Sequence, residues 1–199
     1  MLKRFTKYVT QSVAGMIGIS IYVLADTFLI SVYSGADGLA QGAQPLISES
    51  YGKGESAQVR KLLKWSLSVC LAVEALIQLV IWTATDPLIN IFNSENNIQL
   101  LNYAHIGMRL YFLGFLIAGI NVVLVAYFSA VDEPKIAIAG SMMRGVVAIV
   151  ICAIVLAKLF GLNGVWISLL ASEAITFLMI LILAYKDRNV KKSVKGFNL

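Results

Sequence analysis

The stretch SGADGLAQGAQPLISESYGKGE, residues 34–55, decides how this chain crosses a membrane, because it joins a long apolar segment to a basic loop. Basic residues concentrate in the cytoplasmic loops of membrane proteins. The two basic flanks of the stretch are therefore expected on the same side, and an even number of crossings must separate them. Residues 9–33 would cross outward and residues 38–52 would return. The flanking basic residues are Lys3, Arg4, Lys7, Lys53, Arg60, Lys61 and Lys64.

The returning segment is short for a membrane crossing. About 15 residues at ~1.5 Å each span ~22 Å, whereas a hydrocarbon core measures ~30 Å. Pro45 also removes a backbone donor and is expected to kink this helix. The second span is thus predicted to be short and only weakly apolar.

Composition places the whole chain in a bilayer. It has 199 residues, 59% of them hydrophobic and 14% charged, with a mean hydropathy of +0.81. Apolar runs longer than ~18 residues mark helical spans. These features predict an all-α integral membrane protein of about six transmembrane helices, forming one bundle over residues 1–199. The net charge of +5 does not indicate a nucleic-acid partner, because Lys and Arg lie beside the span ends.

The distribution of basic residues predicts the topology. Three lie before the first span, four in the loop after the second, Lys135 in an inner turn and five at the C-terminus, which is 13 of the 16. Six spans with both termini cytoplasmic allow this arrangement. The basic head and apolar body at the start resemble a signal peptide, but the apolar part is 25 residues long without a small-residue cleavage site. An uncleaved anchor is therefore expected.

Ionisable residues inside the spans are the candidate functional groups, since they are costly in lipid and usually face a cavity or a partner. Asp26 lies on a polar face of the first span and is expected either to face a cavity or a partner or to be a hydrogen-bonded structural acid. Glu74 has Gln78 one turn later, which predicts either a proton site or a neutral acid satisfied by its neighbour. The first-span face comprises Gln11, Gly15, Gly18, Tyr22, Asp26 and Tyr33.

The fourth span also carries a small and polar face, which is typical of a cavity wall. Its members are Tyr111, Gly114, Ala118, Asn121 and Ser129. His105 near its outer end is expected to be solvated or capping, because it is the only histidine. Arg144 lies in the fifth span and Glu173 in the sixth. Residues 85–103 contain no Lys or Arg and are expected to form an external loop.

No pattern in the sequence indicates an enzyme. It contains no Walker loop, metal-ligand cluster or nucleophile and base pair, so no cofactor and no metal are expected. Cys70 and Cys152 both lie in apolar runs and are expected to be packing residues.

Motifs in two parts of the sequence, residues 24–40 and residues 41–166, resemble the multidrug and toxin extrusion (MATE) transporters. LADTF at 24–28 with GADGLA at 35–40 resembles the end of that family's first helix and the following loop. QGAQPLISESYGKGE at 41–55, GINVVLVAYFSAVDEPK at 119–135 and GLNGVW at 161–166 resemble its second half, from the inner part of helix eight to helix twelve. Residues 1–40 would therefore match the first helix of the N-terminal lobe, and residues 41–199 would match the C-terminal lobe. The resemblance implies an internally shortened transporter with a seam near Ala40.

The family resemblance also implies function. Its members are plasma-membrane antiporters that export drugs and toxic organic cations in exchange for Na⁺ or H⁺, and an acid on helix one takes part in coupling. By position that acid is Asp26. Tyr22, Gln44, Asn121 and Glu74 are the candidate residues of the substrate cavity.

Departures from the family pattern leave alternatives open. Helix ten offers Asn121 where an acid would serve coupling, and Asp132 occupies a turn position where the family usually has glycine. A non-transporting membrane subunit, a nonfunctional remnant and a lipid-linked oligosaccharide flippase of the same superfamily are the alternatives. Because a family lobe normally packs against a second lobe, a homodimer or a partner supplying the missing lobe is expected.

Overall fold

The computed structural model describes residues 35–92 and 98–186. The chain separates into two units, Met1–Ser34 and Gly35–Leu199. The predicted first span, with Tyr22 and Asp26, lies outside the described residues. The described helices are α1 (35–52), α2 (Ser56–Thr83), α3 (Thr85–Phe92), α4 (Ile98–Ala130), α5 (Pro134–Met142), a π-helical turn (Met143–Val147), α6 (Ala148–Phe160) and α7 (Leu162–Lys186).

All regular structure in residues 35–92 and 98–186 is helical, which confirms the predicted fold class. Within these residues four helices are long and apolar enough to cross a membrane: Ser56–Thr83, Tyr103–Ala130, Pro134–Phe160 and Leu162–Lys186. They correspond to the third to sixth predicted spans. α1 forms where the short second span was expected, but it does not meet the same criterion of length and hydropathy.

The predicted external loop at residues 85–103 is wrong in part. α3 occupies Thr85–Phe92, and α4 already begins at Ile98. The absence of Lys and Arg distinguishes the sides of a membrane but carries no information on local conformation, and the run PLINIF is apolar enough to pack. α3 accordingly packs against α2 and α4. Ile89 of α3 is buried.

α4 is the central helix of the described bundle. It packs against α2, α3, α5 and α7. The apolar window of its span is 56% buried, whereas the other three spans are 11–28% buried. Their remaining apolar surface is typical of a lipid-facing belt, since a bilayer solvates side chains that water would not.

Close helix approach in this bundle depends on glycines. Cβ atoms placed on Gly107 and Gly114 of α4 would overlap Trp166 and Leu169 of α7, and one on Gly140 of α5 would overlap Val125. A Cβ on Gly164 would overlap the backbone carbonyl of Leu156 at the α6 and α7 hairpin. Small residues that let backbones approach are the usual means of packing helices in lipid.

The turns explain one departure from the family pattern. Asp132 adopts a φ of +61°, in the left-handed region. Glycine reaches this region without a Cβ penalty, and Asp and Asn are the residues that tolerate it next best. The conformation therefore accounts for aspartate at a position where the resemblance implied glycine.

The fifth span contains a π-helical turn near its middle. α5 and α6 are joined without a break by the π-helical turn Met143–Val147, which contains Arg144. Such turns insert a residue into the helical repeat, shift the direction of the side chains that follow, and are often found at functional sites. The turn packs against α7.

Candidate functional site

A buried polar cluster joins three spans on the α7 side of α4. The Asn121 amide nitrogen on α4 donates to the Glu173 carboxylate oxygen Oε2 at 2.7 Å and to the Glu173 backbone carbonyl at 2.9 Å. Arg144 from the π-helical turn places its Nε 3.5 Å from the other carboxylate oxygen of Glu173. Asn121 is 0% exposed and Glu173 is 2% exposed. The cluster is thus an ion pair with an amide donor, closed off from solvent.

The remaining polar side chains of α7 do not contribute to this cluster. Ser168, Ser172 and Thr176 are buried, and each donates its hydroxyl to a backbone carbonyl one turn earlier on α7. This bonding satisfies the hydroxyls within the helix. Glu173 therefore depends on α4 and on the π-helical turn for its partners.

One acceptor in the cluster has no donor. The Asn121 side-chain oxygen is buried without a hydrogen-bond partner. Burying such an oxygen without a donor costs ~1–3 kcal/mol. The amide orientation is fixed by its nitrogen, which is committed to Glu173. The oxygen is therefore free to accept a bond from a bound water or from a ligand.

A second buried acid lies on the α2 side of α4. Glu74 is 4% exposed, and its Oε2 has no hydrogen-bond partner. A Cβ on Gly119 of α4 would come within 2.9 Å of the Glu74 oxygen Oε1 and within 2.7 Å of the Cys70 sulfur. In the described part of the chain no Lys, Arg or His forms an ion pair with Glu74. A charged acid at the centre of a span costs roughly 2.5–3.5 kcal/mol on insertion scales.

The expected hydrogen bond between Glu74 and Gln78 is not made. With the Gln78 amide set to satisfy its neighbours, its nitrogen donates to the Phe112 carbonyl at 3.0 Å, and its oxygen accepts from the Trp82 indole. Helical spacing does place Glu74 and Gln78 on the same buried face of α2. The Gln78 amide hydrogen-bonds to Phe112 of α4 and to Trp82 of α2. Glu74 therefore receives no hydrogen bond from Gln78.

The polar face of α4 is a packing surface over most of its length, and only Ser129 at its end is exposed. Gly114, Ala118 and Asn121 are buried, and Tyr111 makes an edge-to-face contact with Trp166 at a centroid distance of 6.3 Å. The cavity wall expected from these residues is therefore filled by α7 in this structure. Helical periodicity shows that a face is small and polar, but an open cavity and a close helix contact both require such a face.

Four further residues singled out from the sequence lie in the described helices. Gln44 of α1 is half-buried, and Cys70 and Cys152 are buried free cysteines. His105 lies inside α4, with its Nε2 3.3 Å from Asp86 of α3, so it does not cap the helix. Tyr22 and Asp26 lie outside the described residues.

The sequence reasoning missed the pairing of Arg144 with Glu173. The sequence places one ionisable residue in the fifth span and the other in the sixth. The number of residues between two spans does not fix how their side chains align, so it could not reveal the pair. Their opposite charges at similar membrane depth were the available signal, since buried charges in spans pair with one another.

Residues 5–154 match the MatE family. The chain is 26% identical over 152 residues to the multidrug export protein MepA of Staphylococcus saprophyticus, which covers 76% of this chain and 33% of that protein. The chain therefore spans about a third of the length of this curated relative.

Solved structures show the same fold. A mutant of the Vibrio cholerae MATE transporter VcmN superposes with a TM-score of 0.73 at 18% identity, over 92% of this chain and 40% of that one. An outward-facing MATE family transporter of the MOP superfamily superposes with a TM-score of 0.68 at 13% identity, over 79% of this chain and 35% of that one. Since the family match extends over most of the sequence, the chain belongs to the MATE family of membrane transporters.

Proposed function

We propose that this chain forms one lobe of a cation-coupled antiporter that exports drugs and toxic organic cations in exchange for Na⁺ or H⁺. The match of residues 5–154 to the MatE family carries the proposal. The printed name of the relative MepA, a multidrug export protein, gives the substrate class.

Buried ionisable groups support a transport role. Glu74, Arg144 and Glu173 lie within the spans and face other helices instead of lipid. Such residues mark substrate paths, ion paths and proton relays in membrane proteins. Arg144 is paired with Glu173, which does not favour a flippase that needs free cationic groups to hold a pyrophosphate.

The coupling acid of this proposal is Asp26. An ionised carboxylate there needs a cation as partner, either the coupling ion or a cationic drug. Ion and drug would then exclude one another at a single carboxylate, which is the competition that exchange requires.

Transport in this proposal also needs a second lobe. The solved structures extend well beyond the part that this chain covers. Further residues of a longer chain, a second copy of this chain or a separate partner could supply that lobe. The proposed location is the plasma membrane with both termini cytoplasmic.

The test is efflux in cells that lack their own drug pumps. Expression of the chain should lower the accumulation of a fluorescent organic cation, and the Asp26→Asn variant should abolish the effect at equal expression. Asn keeps the size and most hydrogen bonding of Asp but does not titrate.

Asp86→Asn is the matched control, because the Asp86 side chain is 71% exposed and its loss should leave efflux intact. If the parent chain does not lower accumulation, it does not transport alone or as a homodimer. If Asp26→Asn exports as well as the parent, the proposed coupling fails.

A further inference from the structure

We propose that Glu74 is an exchangeable proton site at the interface of α2 and α4, holding its proton while the two helices are packed and releasing it when the interface opens. This site is separate from the coupling acid proposed at Asp26. It also differs in kind from Glu173, which is the other described glutamate buried within a span.

The Glu74 carboxyl group lies inside the interface of α2 and α4. Glu74 is buried against the backbone of α4 at Gly119, where even a methyl group would not fit beside Oε1. The packed interface therefore leaves no room for a water molecule at that contact. A carboxyl group without access to water cannot be solvated as an anion.

The groups that lie closest to Glu74 on α2 and α4 carry no positive charge. On α2 the neighbouring titratable group is the Cys70 thiol, which is neutral or negative and cannot balance a carboxylate. On α4 the residue that lies against the Glu74 carboxyl group is Gly119, which has no side chain. No ion pair to Glu74 is formed from α2, α3, α4 or any other described segment.

Arg144 and Glu74 lie on different sides of α4. Gly119 faces α2 and Asn121 faces α7. Residues two positions apart on an α-helix differ by about 200° around its axis, so the two lie on nearly opposite sides of α4. Arg144 reaches Glu173 beside Asn121, on the far side of α4. The described helices therefore give Glu173 a counter-charge and give Glu74 none, so ionisation of Glu74 is the more costly.

It follows that α2 and α4 cannot stay closely packed when Glu74 loses its proton. Ionisation requires water or a cation to reach the carboxylate, and either must separate the helices at Gly119. Proton exchange at Glu74 and opening of this interface are thus one event. A change in external or cytoplasmic pH would shift the balance between the packed and open arrangements.

Infrared spectroscopy tests this site directly on the purified chain in lipid nanodiscs. A protonated carboxylic acid has its own carbonyl band, which disappears on ionisation. In an Asp26→Asn background, the band should decrease as pH rises, and adding Glu74→Gln should remove the pH-dependent part. Persistence of the full band in the Glu74→Gln variant would overturn the proposal.

Labelling with a hydrophobic carbodiimide gives a second readout that needs no substitution. The reagent reacts with protonated carboxyl groups in apolar surroundings, and mass spectrometry locates the adduct. We expect an adduct on Glu74 that decreases as pH rises, and none on Glu173. An adduct on Glu173 without one on Glu74, or no adduct on Glu74 at any pH, contradicts the proposal.

These experiments are independent of transport. If efflux is absent but Glu74 titrates, the proposed function fails while the proton site stands. If efflux depends on Asp26 but Glu74 shows neither a titrating band nor an adduct, the proposed function stands while the proton site fails.

Discussion

The two sides of α4 hold a buried glutamate in opposite ways. On the α7 side, Glu173 receives the Asn121 amide and lies 3.5 Å from the Arg144 guanidinium. On the α2 side, Glu74 lies against Gly119, and its Oε2 has no partner. The same residue type is stabilised as part of an ion pair in one interface and only as a neutral acid in the other.

The difference shows that membrane depth alone does not decide the state of an acid. Both glutamates lie in long apolar spans, and both are almost fully buried. What differs is whether the facing element brings a cation, and the π-helical turn of the fifth span brings one to Glu173. Pairs of acids in unlike environments are the usual basis for dividing proton-holding and charge-holding roles.

The largest expected effect comes from removing the cation. Arg144→Met leaves Glu173 as a buried charge without its counter-ion, and breaking such a pair typically costs about 3–5 kcal/mol. We expect a loss of this order in the free energy of unfolding, measured by reversible denaturation in mixed micelles.

Glu74→Gln is the control for Arg144→Met. It exchanges a carboxyl group for a neutral amide of similar shape and leaves no buried charge without a counter-ion, so the loss in the free energy of unfolding should be smaller than that of Arg144→Met. Equal losses in the two variants would show that the two interfaces do not differ electrostatically.

Removing the buried amide on the α7 side of α4 should cost more stability than removing the one on the α2 side. Asn121→Leu removes a hydrogen bond to a charged carboxylate, worth about 1.5–3 kcal/mol. Gln78→Leu removes neutral hydrogen bonds, which average only ~0.6 kcal/mol between membrane helices. Thermal unfolding in one detergent should therefore show the larger loss for Asn121→Leu. The reverse order would mean that Asn121 does not stabilise Glu173.

Alanine substitution of a glycine on each side of α4 tests the helix packing there. We expect the two variants to show the smallest difference in the free energy of unfolding. A Cβ at Gly114 would meet the Leu170 backbone nitrogen at 3.0 Å as well as the Leu169 side chain. The three atoms nearest to a Cβ at Gly119 would all be side-chain atoms, of Cys70 and Glu74. Overpacking costs typically about 1–3 kcal/mol, and Gly114→Ala should be the more costly because a backbone cannot rotate away.

Gly145→Ala is the matched control for both glycine variants, since a Cβ at Gly145 has nothing within 4 Å. Differential unfolding by heat should show little change for it. A Gly119→Ala loss greater than that of Gly114→Ala would mean that the α2 interface is the more rigid of the two, contrary to a site that opens.

The sequence predicted most of the fold because bilayer crossing depends on local composition. The apolar lengths of α2, α4, α6 and α7 and the basic residues at their ends can be counted along the chain. The third to sixth spans were recovered with ends within a few residues, apart from α2, which begins nine residues before Trp65 and continues through the basic segment that follows the loop. α3 was missed because an uncharged outer segment can be a loop or a helix.

The candidate site was predicted only as separate residues. Periodicity indicated that Glu74 and Gln78 share one face of α2, and that Asn121 lies on a polar face of α4. It could not indicate that Gln78 would bond to Phe112 and Trp82 instead of Glu74.

By itself, then, the sequence determined the membrane class, the helical fold and the family motifs, because these depend on hydropathy and spacing along one helix at a time. Only the tertiary structure decided which buried acid has a counter-charge. That outcome depends on the rotation and depth of neighbouring helices, here set by the glycine contacts of α4 and by the π-helical turn that holds Arg144 beside Glu173. No pattern within a single helix carries this information, since the partners are 29 residues apart in sequence.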